Sequence, residues 1–212
     1  MKRNTSASKN FTNRNNVTFP LINCIHDPAR TDRRKLLDHQ IATQRLSVQF
    51  WPAIKDKMIS FRGISWAHKQ IIRWARKTGQ EEVLIMEDDC YFFGPGAFEY
   101  YLSQKPSSYD IYLGNVFFPP TLDGNRLSDF CGLTLYFIHS RCYDKILSAN
   151  EMNHLDRVIG KMELEKYVCI PMVCSQIDGY SDNKRHWGSY GKYLVGHSLY
   201  GAKTPPERNP ST

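Results

Sequence analysis

Val83–Met86 are four consecutive apolar residues, and this run limits the possible folds of the chain more than any other feature does. An uninterrupted apolar run of this length is typical of a β-strand covered on both faces, because a half-exposed strand alternates apolar and polar side chains. The preceding residues 64–77 repeat apolar side chains at the spacing of one helix face. A buried strand that follows an amphipathic helix favours an α/β fold with a mainly parallel sheet between layers of helices.

Strand and helix patterns alternate along most of the chain. We predict strands at 17–25, 47–54, 83–86, 110–113, 133–138 and 168–173, and helices at 29–46, 64–77, 97–104, 140–149 and 155–165. Loops are predicted at 55–63 and 116–130, and a loop-like lid or tail from residue 175 onward. Ligands of such sheets bind beyond the carboxyl ends of the strands, so motifs at those ends are the most informative.

The basic charge of the chain lies mostly outside the predicted fold. Among 212 residues, 28 are Lys or Arg and 21 are Asp or Glu, which gives a net charge of +7. Four of these positive charges lie in residues 1–16, which we predict to be a disordered basic tail, and residues 201–212 are predicted to be a flexible tail. Residues 17–200 then form a single domain of low net charge, which argues against nucleic-acid binding.

No apolar run reaches the roughly 18 residues that suggest a transmembrane segment. We therefore expect a soluble cytoplasmic protein. A weak association of the basic tail with anionic membrane surfaces is the alternative.

Three carboxylates, those of Glu87, Asp88 and Asp89, directly follow the buried strand. Like charges this close repel one another, and a hard cation such as Mg²⁺ or Mn²⁺ removes that cost while it also holds substrate phosphates. In an extended segment Glu87 and Asp89 point to one side and Asp88 to the other. A solvated acidic turn is the structural alternative, but the position after a buried strand favours a metal or diphosphate site.

Four other side chains are candidates for a functional site together with this triplet. His68 lies on the apolar face of its predicted helix, where it is either a core histidine or a support for the acidic residues. Arg30 and Arg33 open the first helix, where arginines suit phosphate recognition or are simply exposed. Asp156 precedes an apolar helical stretch and is either a helix-terminal carboxylate or a general base.

The order of several motifs resembles glycosyltransferase family 25, which includes lipooligosaccharide and collagen β-galactosyltransferases. The motifs are PLINCIHDPARTDRR at 20–34, GISWAH at 63–68, VLIMEDDC at 83–90, GLTLYFIHS at 132–140, HLD at 154–156, and Gln176 followed by Ser181-Asp182. Together they extend over about residues 18–185. Two departures concern the family's Gly-Cys-x-x-Ser-His segment, where this chain has Ile64 and Ala67.

The resemblance implies a GT-A fold, in which a single Rossmann-like, mixed and mainly parallel sheet is flanked by helices. It implies a metal-dependent inverting hexosyltransferase that uses Mn²⁺ or Mg²⁺. The expected donor is a nucleotide-sugar, most simply a UDP-sugar such as UDP-galactose or UDP-glucose, and the expected acceptor is a hydroxyl group of a glycan or glycoconjugate.

The resemblance also implies roles for individual residues. Asp89 would hold the metal together with Glu87, and His186 either completes the metal shell or is a solvated histidine. The residues expected at the nucleotide-sugar are Asn23, Arg30, Arg33, His68, Glu87 and Asp88. Asp156 is the first candidate for the catalytic base and Asp182 the second.

Three other functions fit parts of the sequence. A nucleotide-sugar-binding protein of the same fold would lack a catalytic base. A basic nucleic-acid-binding module would show an RRM, KH or helix-turn-helix pattern, and none occurs, so we expect no specific nucleic-acid partner. A metal-dependent phosphotransferase or nuclease would need a P-loop or a second clustered pair of carboxylates, and the sequence has neither.

Overall fold

The computed structural model describes residues 19–117, 122–181 and 186–190, without the side chains of residues 122 and 123. The two predicted tails and the second candidate base, Asp182, lie outside the described residues. None of the helices within the described ranges is both long and apolar enough to cross a membrane.

Twelve short strands and five helices make up the described chain. The strands are β1 (Leu21–His26), β2 (Ser47–Pro52), β3 (Glu82–Glu87), β4 (Cys90–Phe92), β5 (Ile111–Leu113), β6 (Leu122–Asp123), β7 (Arg126–Leu127), β8 (Leu135–His139), β9 (Lys166–Val168), β10 (Cys174–Gln176), β11 (Gly179–Ser181) and β12 (His186–Gly188). The helices are α1 (Thr31–Gln44), α2 (Ser60–Lys77), α3 (Ala97–Ser103), α4 (Tyr143–Leu147) and α5 (Leu155–Gly160), with a 3-10 turn at Ser140–Cys142.

Eight strands form one mixed sheet in the order β2-β1-β3-β8-β5-β9-β7-β6. Strand β1 pairs in parallel with β2 and β3, and β5 pairs in parallel with β9. Strand β8 runs antiparallel between β3 and β5, and β7 runs antiparallel to both β9 and β6. The prediction of an α/β fold with a mixed sheet flanked by helices is confirmed.

Strand β3 lies between β1 and β8 and is covered on both faces, as its apolar run predicted. Val83 and Ile85 belong to one hydrophobic cluster, which includes buried residues of α2, α4 and α5. Leu84 and Met86 belong to a second cluster, which includes buried residues of α1 and α3. The two clusters follow from the alternation of side chains along a strand, and they fix the strand that leads into the acidic triplet.

Helix α2 begins at Ser60, four residues before its predicted start, and therefore includes Gly63. A Cβ atom on Gly63 would lie 2.3 Å from the carbonyl oxygen of Ile54 and 2.8 Å from the backbone nitrogen of Asp56. The segment before α2 thus packs on the backbone of its first turn. The sequence predicted Gly63 to end a loop. In the structure, its lack of a side chain permits the close approach between the first turn of α2 and the segment that contains Ile54 and Asp56.

The last third of the chain differs more from prediction. The helix predicted over 155–165 ends at Gly160, and the strand predicted over 168–173 is replaced by β9 and β10 on either side of Pro171. Proline has no N–H to donate to a sheet, which explains the interruption. Beyond residue 175 the chain is not only loop, because β11 pairs antiparallel with β12 and β10 pairs antiparallel with β4.

Candidate functional site

A pocket of about 650 Å³ lies where β1 and β3 end. Its lining comes from the segments after β1, β2 and β3, the first turn of α1, the N-terminal half of α2, the segment before β8, the start of α5, and the end of β10 with the chain after it. The predicted site residues that line it are Arg33, His68, Glu87, Asp88, Asp89 and Asp156. The fold therefore brings the acidic triplet and the first candidate base to one cavity, although 67 residues separate Asp89 from Asp156 in the sequence.

The triplet changes conformation within its three residues. Glu87 is the last residue of β3, whereas Asp88 and Asp89 form the turn that leads into β4. Nη1 of Arg33 lies 2.7 Å from Oδ1 of Asp88 and 3.2 Å from Oδ2 of Asp89. The alternation predicted for an extended segment does not hold, because the turn places both aspartates against the same guanidinium group.

The carboxylate of Glu87 contacts two side chains, those of His68 and Gln176. Its Oε1 lies 3.2 Å from Nε2 of His68, and its Oε2 accepts a hydrogen bond of 2.8 Å from Nε2 of Gln176. The His68 ring is buried, and its Nδ1 lies 2.5 Å from the hydroxyl oxygen of Tyr136. His68 is therefore a core histidine and a support for the acidic triplet at once.

Asp88 contacts two residues that the sequence analysis missed. Its Oδ2 lies 2.9 Å from Nδ1 of His26 and accepts a hydrogen bond of 3.2 Å from the backbone N–H of Asp27. These residues end or follow β1, which pairs in parallel with β3 with Ile25 opposite Glu87. The signal that could have found them is therefore the parallel pairing of two strands that both end in polar residues.

Asp89 differs from its neighbours in having an oxygen without a partner. Its Oδ1 is buried and has no hydrogen-bond partner within the described parts of the chain. The pKa of Asp89 is raised to about 7, mainly because the carboxyl group is buried; the charge of Arg33 lowers the pKa, and the charges of Glu87 and Asp88 contribute to the rise. A cation brought to this oxygen would remove the cost of burying the charged carboxylate.

The donor set fits a divalent cation that is shared with a substrate. No group of three or more His, Cys, Asp and Glu side chains is arranged to hold a metal within residues 19–117, 122–181 and 186–190. Mg²⁺ and similar ions, however, use one or two protein carboxylates together with substrate phosphates and water rather than a full protein cage. The orphan oxygen of Asp89 fits that scheme, with Glu87 beside it in the same pocket.

Three predicted site residues lie outside the pocket lining. Asn23 is buried within the sheet, where its side chain donates to the carbonyl oxygen of Leu84 and accepts from Nε1 of Trp51 at 2.9 Å. Arg30 forms an ion pair of 2.8 Å with Asp32. His186 is exposed on β12, where its Nδ1 lies 2.8 Å from the carbonyl oxygen of the next residue. Arg30 also donates a hydrogen bond of 3.3 Å to the carbonyl oxygen of Tyr180, which Arg33 contacts as well.

Asp156 lies in the first turn of α5 and reaches the pocket. Its Oδ2 accepts a hydrogen bond of 2.9 Å from the backbone N–H of Gly132 and lies 3.2 Å from Sγ of Cys131, while its Oδ1 accepts from the N–H of Arg157. Both alternatives from the sequence therefore have support, because the carboxylate binds local backbone and also faces the cavity.

Aromatic residues give the pocket an apolar wall. The rings of Phe61 and His154 lie 4.7 Å apart, and those of Phe117 and Tyr190 lie 5.4 Å apart. All four line the cavity. Aromatic faces combined with a few polar groups are typical of small-molecule sites, and here they offer a surface for a sugar ring or a base. Phe61 was not predicted as a site residue, because the predicted start of α2 at residue 64 left it in a loop.

Among known proteins, the chain is similar only to solved structures. No protein-family model matches the chain, and no curated protein does. The chain is similar to a glycosyltransferase involved in glycosylation of the major capsid of PBCV-1, with 14% identity, coverage of 60% of this chain and 64% of that one, and a TM-score of 0.40.

Two further solved structures show the same level of likeness. A mutant Drosophila β1,4-galactosyltransferase 7 in complex with manganese, UDP-Gal and xylobiose is 11% identical over 85% of this chain and 80% of that one, with a TM-score of 0.49. HddC from Yersinia pseudotuberculosis is 8% identical over 70% and 68%, with a TM-score of 0.40. TM-scores below 0.5 do not show a shared family or a shared function. Membership of family 25 therefore stays a prediction.

Proposed function

We propose that the protein is a GT-A glycosyltransferase, related to family 25, that moves a hexose from a nucleotide-sugar to a hydroxyl group of a glycan or glycoconjugate. The observation that supports this most is the shared pocket, which joins the acidic triplet and Arg33 to Asp156 at the ends of parallel strands. Ligands of α/β sheets bind at this edge. The volume of about 650 Å³ is in the range of small-molecule sites.

The acidic end of the pocket suits the diphosphate of a donor, most simply a UDP-sugar. The Arg33 guanidinium can pair with phosphate oxygens through two N–H groups. Asp89, through Oδ1, and Glu87 are the residues that would hold Mn²⁺ or Mg²⁺. Such an ion, when bound, supplies neutralisation of the charge that develops on the departing nucleoside diphosphate.

Asp156 and the aromatic wall suit the acceptor. The acceptor oxygen attacks the anomeric carbon as the bond from that carbon to the diphosphate oxygen breaks, and the hydroxyl proton passes to a carboxylate, for which Asp156 is the first candidate. This single displacement inverts the configuration at the anomeric carbon. Phe61 and Tyr190 would pack against the sugar and exclude water from the reacting atoms.

One observation favours a second candidate, a nucleotide-sugar-binding protein without transferase activity. Both carboxylate oxygens of Asp156 already accept hydrogen bonds from the backbone. A carboxylate engaged in this way stabilises the segment before β8 and the start of α5 without any role in chemistry. Binding of the donor without turnover would distinguish this candidate from the transferase.

The first test is thermal unfolding with UDP-, GDP-, CMP- and dTDP-sugars, each with and without Mn²⁺. A ligand that binds only the folded state raises the unfolding midpoint by mass action. We expect a Mn²⁺-dependent rise with one nucleotide class that is lost in Asp89→Asn. The matched control is Asp38→Asn, because Asp38 is an exposed partner of Arg34 on α1, outside the pocket lining.

Transfer is then measured with the donor that binds, as release of the free nucleoside diphosphate in the presence of a panel of glycan acceptors. Acceptor-dependent release supports the transferase, and tight binding without release supports the second candidate. A folded protein whose midpoint no nucleotide-sugar changes contradicts both.

A further inference from the structure

We infer that Arg33 is the resident counter-cation of the acidic triplet and keeps divalent metal out of the site until a nucleoside diphosphate draws Arg33 away. The inference rests on the proposed function, because it takes a nucleoside diphosphate as the incoming ligand. It assigns to Arg33 a positioning role that couples two binding events, so that metal and nucleotide enter together.

The first support is where the Arg33 charge lies. One nitrogen, Nη1, lies 2.7 Å from an Asp88 oxygen and 3.2 Å from an Asp89 oxygen, and the Arg33 side chain is only 20% exposed. A positive charge at this distance from two buried carboxylates interacts strongly, because solvent screens it little. Burial lowers the pKa of Arg33, but the carboxylates of Asp89 and Asp88 outweigh burial and raise it above its usual value.

The second support is that the other carboxylate oxygens are already occupied. His26 and the Asp27 N–H hold Oδ2 of Asp88, and His68 and Gln176 hold the two oxygens of Glu87. Among the carboxylate oxygens of the triplet, a cation that arrives alone therefore finds one without a hydrogen-bond partner from the described residues, Oδ1 of Asp89, next to a fixed positive charge. Repulsion by Arg33 and the lack of further ligands make this encounter weak.

A diphosphate changes both conditions. Its oxygens offer the Arg33 guanidinium a two-point pairing that replaces the one-point contacts to Asp88 and Asp89. The same oxygens supply the missing metal ligands, and the departure of Arg33 exposes Asp89 to the cation. Nη2 of Arg33 also lies 3.4 Å from the carbonyl oxygen of Tyr180, so the released side chain leaves β11 as well.

Isothermal titration of the full chain with MnCl₂, alone and with saturating UDP, tests the coupling without any activity assay. For the wild type we expect Mn²⁺ affinity to rise about tenfold or more when UDP is present. For Arg33→Gln we expect Mn²⁺ alone to bind about tenfold more tightly than to the wild type. The further gain from UDP should be smaller than in the wild type, because phosphate oxygens still supply metal ligands but no longer have to displace Arg33. The matched control is Arg34→Gln, which removes the same charge from a side chain that pairs with Asp38 and should behave as the wild type.

A second variant, Arg33→Lys, keeps the test valid if Arg33→Gln fails to fold. Arg33→Lys keeps the charge but loses the planar fork, so Mn²⁺ alone should stay weak while UDP affinity falls. Equal Mn²⁺ affinity of folded Arg33→Gln and wild type overturns the inference, as does Mn²⁺ binding to the wild type that UDP leaves unchanged. If no nucleotide binds but Arg33→Gln gains Mn²⁺ affinity, the proposed function fails and the counter-cation role of Arg33 stands.

Discussion

Nε2 of His68 lies 3.2 Å from Oε1 of Glu87, across the gap between α2 and the end of β3. The other ring nitrogen of His68 lies 2.5 Å from the hydroxyl oxygen of Tyr136 on β8. One buried ring thus joins a helix and two strands, and it fixes the first carboxylate of the triplet from the core side. The positions of core residues and site residues are therefore coupled.

Tyr136→Phe tests this coupling by removing a single hydroxyl group. We expect the free energy of unfolding to fall by about 1–3 kcal/mol, because Nδ1 of His68 loses a buried partner. The measurement is urea unfolding at neutral pH. The control is Tyr100→Phe, whose hydroxyl donates to the Ile170 carbonyl oxygen at an exposed position and should cost less. Equal losses from the two substitutions would contradict the special role of the Tyr136–His68 contact.

Gly63→Ala should destabilise the protein by about 1–3 kcal/mol, as overpacking does. The added Cβ would meet the Ile54 carbonyl oxygen at 2.3 Å, and backbone cannot give way as a flexible side chain can. Gly179→Ala is the matched control, because no atom lies within 4 Å of a Cβ built there. Thermal unfolding of the two variants measures the difference. A Gly63→Ala protein as stable as Gly179→Ala would show that the segment before α2 is free to move.

The stability of the protein should depend on pH through Asp56, and the partners of Asp56 determine the direction of that dependence. The Arg62 side chain and then the backbone N–H of Ile59 lower the pKa of Asp56 from 3.8 to about 2. A depressed folded-state pKa contributes stability that is present above about pH 4 and is lost as the pH falls towards 2. Asp56→Asn cannot ionise, so the wild type should be more stable at pH 7 and the difference should vanish near pH 2.

Unfolding midpoints of the wild type and Asp56→Asn, recorded from pH 7 to pH 2, measure this difference directly. Asparagine still offers an oxygen to the N–H groups of Met58 and Ile59, so the comparison measures the loss of the ion pair between Asp56 and Arg62. A gap that persists unchanged at pH 2 would mean that packing, not ionisation, is responsible.

Asp156→Asn separates binding from chemistry in the proposed reaction. We expect kcat to fall about 10²–10⁴-fold, as for loss of a general base, while donor affinity stays within about twofold because the acidic end of the pocket is unchanged. The amide oxygen can still accept from the Gly132 N–H. Asp144→Asn is the control, because it loses an exposed ion pair with Arg76 and both residues lie outside the pocket lining. Unchanged kcat in folded Asp156→Asn would assign Asp156 a structural role alone.

Local patterns predicted the elements that carry the acidic end of the site. The run Val83–Met86 predicted a buried strand, and the structure confirms it as the centre of β3. The helix that carries His68 was predicted from its apolar periodicity, apart from its first four residues. In both cases the signal lies within one element, where spacing alone decides which side chains are buried.

Relations between distant elements were not predictable in this way. The position of β8 between β3 and β5 depends on pairing of segments far apart in the chain, which no local period records. The family resemblance predicted Asn23 as a site residue, yet Asn23 lies three residues before the end of β1, and its side-chain amide contacts the neighbouring strands β2 and β3. His26, at the end of the same strand, reaches Asp88 instead.

The central position of β3 has a consequence for how the site is lost. The strand is hydrogen-bonded on both edges and covered on both faces, so its amide hydrogens should exchange with solvent only when the whole molecule opens. The end of β3, which carries Glu87, should then not unfold locally while the rest of the protein stays folded. Nucleotide binding and native structure should disappear at one temperature, and partial heating should not yield a folded protein that has lost its acidic site.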